Sequence, residues 1–182
     1  MSLARENGLS SETARSAVLS FALAVCLAVA AGSAGAAPWV VEGRVVGVTD
    51  GDTITVLDAS KAQHIVRLGG IDAPKRKQPF GSVAKEALSS VVFDRRVEAR
   101  CWKPDRYGRE ICSVFVGTRD VGLAMIRDGY AWHYKAFEQE QSAEDRAAYA
   151  RTEVDARSAR KGLWRDAAPV PPWDWRKERK AP

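Results

Sequence analysis

Apolar and polar residues alternate in short runs through the middle of this chain, the period-two pattern of strands with one buried face. The valine-rich run Val40–Val48 reads as a first strand and Thr53–Leu57 as a second. Between them Thr49-Asp50-Gly51-Asp52 is a turn signal, so the pair reads as a hairpin. Asp58–Ala62 turns again, and Gln63–Ile71 is a third strand. Alternation puts Ile65, Arg67 and Gly69 on one face of it and Val66, Leu68 and Gly70 on the other. The prolines and charges of Ala73–Pro79 suit a loop. Spacing then changes to three and four residues at Val83, Ala87, Leu88 and Val91, which predicts a helix over Ser82–Phe93. Arg95–Trp102 and Glu110–Val116 are the fourth and fifth strands, joined by the turn Lys103–Gly108. A short helix runs over Val121–Asp128 until Gly129. A longer one begins at Ser142, where Asp145 three residues on suggests a capping box, and ends near Lys161, before Gly162.

Five short strands with a helix after the third predict an α+β domain. Its core is a closed five-stranded barrel of the oligonucleotide-binding (OB) type with about three helices. The ends of the chain differ from this middle. Arg5 and Arg15 precede an apolar run from Ser16 to about Ala31, followed by small residues to Ala37 and then Pro38. That is the layout of a secretory signal, with cleavage expected after Ala36. The expected organisation is a signal over 1–36, the barrel domain over 37–166, and a proline- and tryptophan-rich basic tail over 167–182. The tail's tryptophans are expected to pack on the barrel and Arg176–Lys180 to form a flexible end. The product would be periplasmic or secreted, without stable membrane association after cleavage, and nothing in the sequence demands more than a monomer.

The formal net charge is +5 and the pI about 9.3. The signal's two arginines are balanced by Glu6 and Glu12, so the mature domain keeps this excess, which favours anionic partners. It also keeps Cys101 and Cys112, flanking a turn. They either pair across adjacent strands or pack as small apolar residues.

Candidate chemistry gathers at strand ends. Asp50 and Asp52 bring two carboxylates together around a tight glycine turn, and oxygen donors suit calcium or magnesium. Asp72, at the end of strand three, is in reach of Asp52 if the strands are antiparallel neighbours. Arg67, if it faces inward, needs a carboxylate or phosphate partner. Arg109 opens strand five. His64 lies in strand three. His133 lies in the aromatic stretch Tyr130–Tyr134, which either packs in the core or stacks on bases.

Taken in order, Asp50-Gly51-Asp52-Thr53, Arg67 through Asp72-Ala73-Pro74, and Asp105-Arg106-Tyr107-Gly108-Arg109 resemble the staphylococcal nuclease (thermonuclease) family, from about Val41 to Trp164. Met125–Ala131 and Gly162-Leu163-Trp164 resemble it too. The resemblance implies a calcium-dependent phosphodiesterase acting on DNA or RNA, with another hard divalent cation also possible. Asp52 and Asp72 would be metal ligands, joined by a backbone carbonyl of Thr53 or Ala73 and supported by Asp50. Arg67 and Arg109 would clamp the phosphate, and Arg106 and Tyr107 would lie beside a terminal phosphate. Guanidinium suits the clamp because it is planar, stays protonated and bonds two oxygens at once.

One residue departs from the pattern. Where the family carries a glutamate that activates water, this chain has Lys75. Protonated lysine is no base, and no acidic residue lies between Ala73 and Lys85 to replace it. Lys75-Arg76-Lys77 would instead attract a polyanion, with Lys75 holding a substrate phosphate. The readings carried forward are an exported nuclease slowed by Lys75, a catalytically silent nucleic-acid-binding OB module, and a structural barrel whose partner is a protein or polysaccharide.

Overall fold

The alternating stretches become a barrel because each puts its valines, isoleucines and leucines on one side. The computed structural model describes residues 37–179, and the expected export signal lies outside the described residues. Strand β1 spans Trp39–Asp50, β2 Thr53–Asp58, β3 Gln63–Leu68, β4 Ile71–Asp72, β5 Arg96–Pro104 and β6 Glu110–Val116. β1 pairs antiparallel with β2 along its second half and with β5 along its first, and bulges near Gly47 and Asp50 re-aim it. β2 pairs with β3 and β5 with β6, both antiparallel. β3 runs parallel to β6, which closes the five-stranded barrel. Val45, Ile54, Val56, Val66, Leu68, Ala99 and Val114 fill it.

Helix α1 (Gly81–Val92) covers one end of the barrel with Ala84, Leu88 and Val92, one residue per turn on one stripe. After the short β7 (Arg119–Asp120), α2 (Val121–Arg127) buries Val121, Met125 and Ile126. Strand β8 (Trp132–His133) pairs with β4. Helix α3 (Ala143–Ser158) is capped as expected, Ser142 Oγ accepting from the Asp145 N–H at 3.0 Å.

Four expectations change. Strand three stops at Leu68, because Gly69 and Gly70 turn the chain, Gly70 at φ 73°. Ile71 and Asp72 then form a separate strand aimed across the barrel end. Arg67 does not face the barrel interior, since Val66 and Leu68 take that side and Ile65, on Arg67's face, is half exposed. The long helix ends at Ser158 rather than near Lys161, where Arg160 takes a left-handed conformation. The tail is ordered at Arg176: Pro172–Glu178 forms a further helix, α4, making four α-helices among the described residues rather than about three. Its Trp173 packs edge-on against Trp132 and stacks on Tyr134, while Gln78 Nε2 donates to the Val170 carbonyl at 2.7 Å.

Candidate active site

The β1–β2 hairpin closes through Gly51 and Asp52, with Asp50 opposite Thr53. Gly51 is required by packing: a Cβ there would meet the methyl groups of Ala73 and Ala84 at 2.8 Å. This close approach lets α1 and the chain after β4 press on the hairpin, and it brings Asp72 beside Asp52. Both carboxylates are fully buried. Buried charge must be paired. Asp52 Oδ1 accepts from the Thr53 hydroxyl at 3.0 Å and Asp52 Oδ2 from the Ala73 N–H at 2.9 Å. Arg67 Nη1 lies 2.7 Å from Asp52 Oδ2 and its Nη2 lies 3.4 Å from Asp72 Oδ1. Arg67 thus bridges the two carboxylates, and this is the partner its burial demanded.

Lys75 is the fourth member of the cluster. Its ammonium lies 2.8 Å from Asp52 Oδ2, 3.0 Å from Asp72 Oδ1 and 3.9 Å from Asp50 Oδ2. The three carboxylates draw this charge inward, while Lys75 still borders the cleft. Burial lowers the Lys75 pKa, but Asp52 and Asp72 raise it further, and the net shift is upward. Burial raises Asp52, but Arg67 and Lys75 outweigh it and hold the carboxyl well below the usual range. Asp50 has weaker cationic help. Burial, then the charge of Asp52, push it up to about 6.

A further member has no signal in the local sequence. Arg176 of α4 reaches Asp72 with both terminal nitrogens, Nη2 to Oδ2 at 2.8 Å and Nη1 to Oδ1 at 3.2 Å. It comes from a tail 104 residues away in sequence, so no spacing rule could find it.

Beside this cluster opens a cleft of about 670 Å³, bordered by Asp50, Arg67, Lys75, Tyr107, Arg109 and Arg176. Asp105 shapes its far side. It accepts from the N–H groups of Tyr107 and Arg109 and pairs with the Arg109 guanidinium, holding that side chain toward the cleft. Arg109 Nη1 also donates to Thr53 Oγ1 at 3.5 Å, so it neighbours the carboxylate cluster. Tyr107 is exposed, with Arg106 and Arg109 over its ring at 4.8 and 5.5 Å. Asp50, Arg67, Lys75, Arg106, Tyr107 and Arg109 therefore border one cleft, and Asp52, Thr53 and Asp72 are buried beside it. Trp132 and His133 are buried and serve packing, whereas Tyr134 lines the cleft. His64 lies elsewhere, between Glu110 and Asp58. Cys101 and Cys112 sit opposite one another in the β5–β6 ladder and are joined by a disulfide.

Three carboxylates and a threonine are a donor set for a hard cation. Calcium takes roughly six to eight oxygens at about 2.3–2.6 Å. Here the Asp52 and Asp72 oxygens already face an ammonium and two guanidinium groups, and an ion shared by them would stand against Lys75 Nζ. The side chains as arranged do not fit calcium.

Residues 65–166 match the family described as Staphylococcal nuclease homologue. An uncharacterized endonuclease of Escherichia coli O157:H7 is 39% identical over 137 residues, covering 75% of this chain and 85% of that protein. Protein ParB of Escherichia coli is 41% identical over 145 residues, covering 75% of this chain and 79% of that protein. An uncharacterized endonuclease of Haemophilus influenzae is 34% identical over 137 residues, covering 75% and 74%. The family match takes in more than half of the chain and spans Arg67, Asp72, Lys75 and Arg109, so a barrel built around this cleft is a member of the staphylococcal nuclease homologue family.

Proposed function

We propose that this chain is a nuclease that hydrolyses phosphodiester bonds of DNA or RNA, slowly, at the cleft between Arg67 and Arg109. The observation that carries this reading is the convergence of the two arginines on one cleft beside a buried carboxylate cluster. In-line attack of water on phosphorus gathers negative charge on the phosphoryl oxygens, and guanidinium groups held in place beforehand stabilise that charge. Asp105 fixes Arg109, and Asp52 with Asp72 fixes Arg67, so neither must reorganise as charge develops. Tyr107 and Arg106, on the exposed rim, suit the neighbouring phosphate and sugar. Lys75 cannot take a proton from water while its pKa is raised, and loss of a general base costs about 10²- to 10⁴-fold in rate. Calcium, implied by the resemblance, meets donors already held by cations, and no step is assigned to it.

Export belongs to the same proposal. The charged, apolar and small-residue sequence before Pro38 is a secretory layout, and the Cys101–Cys112 bond suits an oxidising compartment, periplasmic or outside the cell. A second reading, nucleic-acid binding without cleavage, is favoured by one feature, the ammonium standing where a base would be needed.

Cleavage of single-stranded DNA, followed with calcium and with chelator, separates the two. Slow cleavage that falls about 10²- to 10³-fold in Arg109→Ala supports the nuclease. Binding without cleavage at high protein concentration would leave only the second reading.

A further inference from the structure

The carboxylate cluster is already neutral without any ion. Asp50, Asp52 and Asp72 carry three formal negative charges, and Arg67, Lys75 and Arg176 carry three positive ones, joined by ion pairs within 4 Å in which each cation meets at least one carboxylate and each carboxylate at least one cation. Two of these cations come from segments far apart in sequence, Lys75 from the loop after β4 and Arg176 from α4. Arg176 uses both terminal nitrogens on Asp72, which leaves neither oxygen of that carboxylate without a cation. Lys75 touches Asp52 and Asp72 together, the two carboxylates a shared ion would have to bridge.

We infer that Lys75 is a tethered cation that takes the place of a divalent ion, so that the cleft holds the phosphate groups of nucleic acid with no metal bound. The inference rests on the nuclease reading of the cleft for its ligand, and on the charge arrangement alone for its metal independence. An ammonium does for the carboxylates what an ion would do: it neutralises them and draws them together. It is covalently part of the loop, so it cannot be removed by chelation or diluted away. A divalent ion entering beside it would raise the local charge to +2, and an ion that expelled it would take the ammonium from its three carboxylate partners. The remaining face of the ammonium borders the cleft, where Arg67, Arg109 and Arg176 also stand. A phosphate there meets positive charge from protein alone.

Charge arithmetic makes the test. Lys75→Glu would set four carboxylates against Arg67 and Arg176, a formal charge of −2, which one divalent ion balances. Calcium chloride is titrated calorimetrically into the purified wild-type protein, Lys75→Glu and Lys75→Met. Affinity for a fluorescein-labelled oligothymidylate is read by anisotropy in chelator and in millimolar calcium. The expected result is no calcium binding by wild type, calcium binding by Lys75→Glu with a rise in its melting temperature, and weaker binding by Lys75→Met. Wild-type oligonucleotide affinity should be the same in chelator and calcium.

Calcium bound by wild type below the millimolar range, or an oligonucleotide affinity raised about tenfold by calcium, overturns the inference and leaves the nuclease reading standing. A Lys75→Glu protein that melts cooperatively yet refuses calcium overturns it too. Should Lys75→Glu fail to fold, Lys75→Met carries the same comparison, and its failure to bind any calcium would count against the inference. Refusal of calcium by wild type and its capture by Lys75→Glu uphold it even if no oligonucleotide is cleaved, an outcome that would count against the nuclease reading alone.

Discussion

His64 shows how a residue outside the cleft can set the protein's response to pH. Its ring nitrogens lie 2.8 Å from Glu110 and 3.2 Å from Asp58, and the bond to Glu110, helped by the one to Asp58, outweighs the lowering by burial and raises its pKa above 6.5. A base whose pKa is raised on folding stabilises the fold where it is protonated. The contribution is complete below about pH 6.5 and disappears as pH rises through the folded value. His64→Gln should therefore lower the melting temperature more at pH 6 than at pH 9. Melting curves at the two values check this, and an equal deficit at both would show that the ring matters only for its shape. Glu110 begins the strand that follows Arg109, so this pair ties β3 to β6 beside Arg109. Lys75 teaches a related lesson at the same scale. That this position departs from the family pattern was legible from one letter, and so was its inability to act as a base. Where its ammonium goes was not, because that depends on Asp52 and Asp72 being brought together by two hairpins and a helix.

Periodicity is strongest in long elements, and this decides which elements the sequence reveals. The six- to twelve-residue strands that close the barrel were legible from period two and α1 from the spacing of Val83, Ala87, Leu88 and Val91, although the stripe it buries is Ala84, Leu88 and Val92 and Val83 is exposed. β4 and β8 are two residues each, too short to have a period, yet β4 carries Asp72 and its pairing with β8 aims it. α4 was hidden for another reason. Its helix is seven residues long and its charges suggest a solvated end, but Trp173 anchors it between Trp132 and Tyr134. Once anchored, it delivers Arg176 to a carboxylate with no access to water. Arg176→Ala would leave Asp72 Oδ2 buried without that donor. The expected loss is about 1–3 kcal/mol of stability, measured by urea denaturation, with Arg176→Lys recovering part of it. An unchanged midpoint would mean the tail rests on the barrel through Trp173 alone.

For the molecule as a whole, the order of contacts explains why fold was more legible than site. The barrel follows from neighbouring segments pairing in sequence, β1 with β2 and β2 with β3. Its closure by β3 against β6, and the meeting of Asp52, Asp72, Arg109 and Arg176, depend on contacts between distant segments, which motifs predicted only where a known family supplied the order. The disulfide belongs at this scale because it locks one such arrangement. Cys101 and Cys112 are 11 residues apart and close the β5–β6 hairpin, whose turn holds Asp105, Tyr107 and Arg109. Restricting that loop in the unfolded chain contributes about 2–3 kcal/mol. Reduction should lower the denaturation midpoint accordingly, while Cys101→Ala/Cys112→Ala measures the same difference without reductant. If stability were unchanged, the β5–β6 ladder would be holding the hairpin unaided.

The inward turn of the Lys75 ammonium also changes what a polyanion senses from afar. A formal +5 suggests broad attraction, but attraction at a distance depends on charges that are not already neutralised. Lys75, Arg67 and Arg176 are matched one for one by carboxylates, so from beyond the Debye length their cluster is electrically silent. On the nuclease reading, a passing nucleic acid would be steered by the outer rim, by Arg106 beside Tyr107 and by Arg76 and Lys77, and would meet the inner cations only after docking. On that reading, capture and positioning would fall to different sets of charges: one set reaching out through solvent, the other acting only at contact.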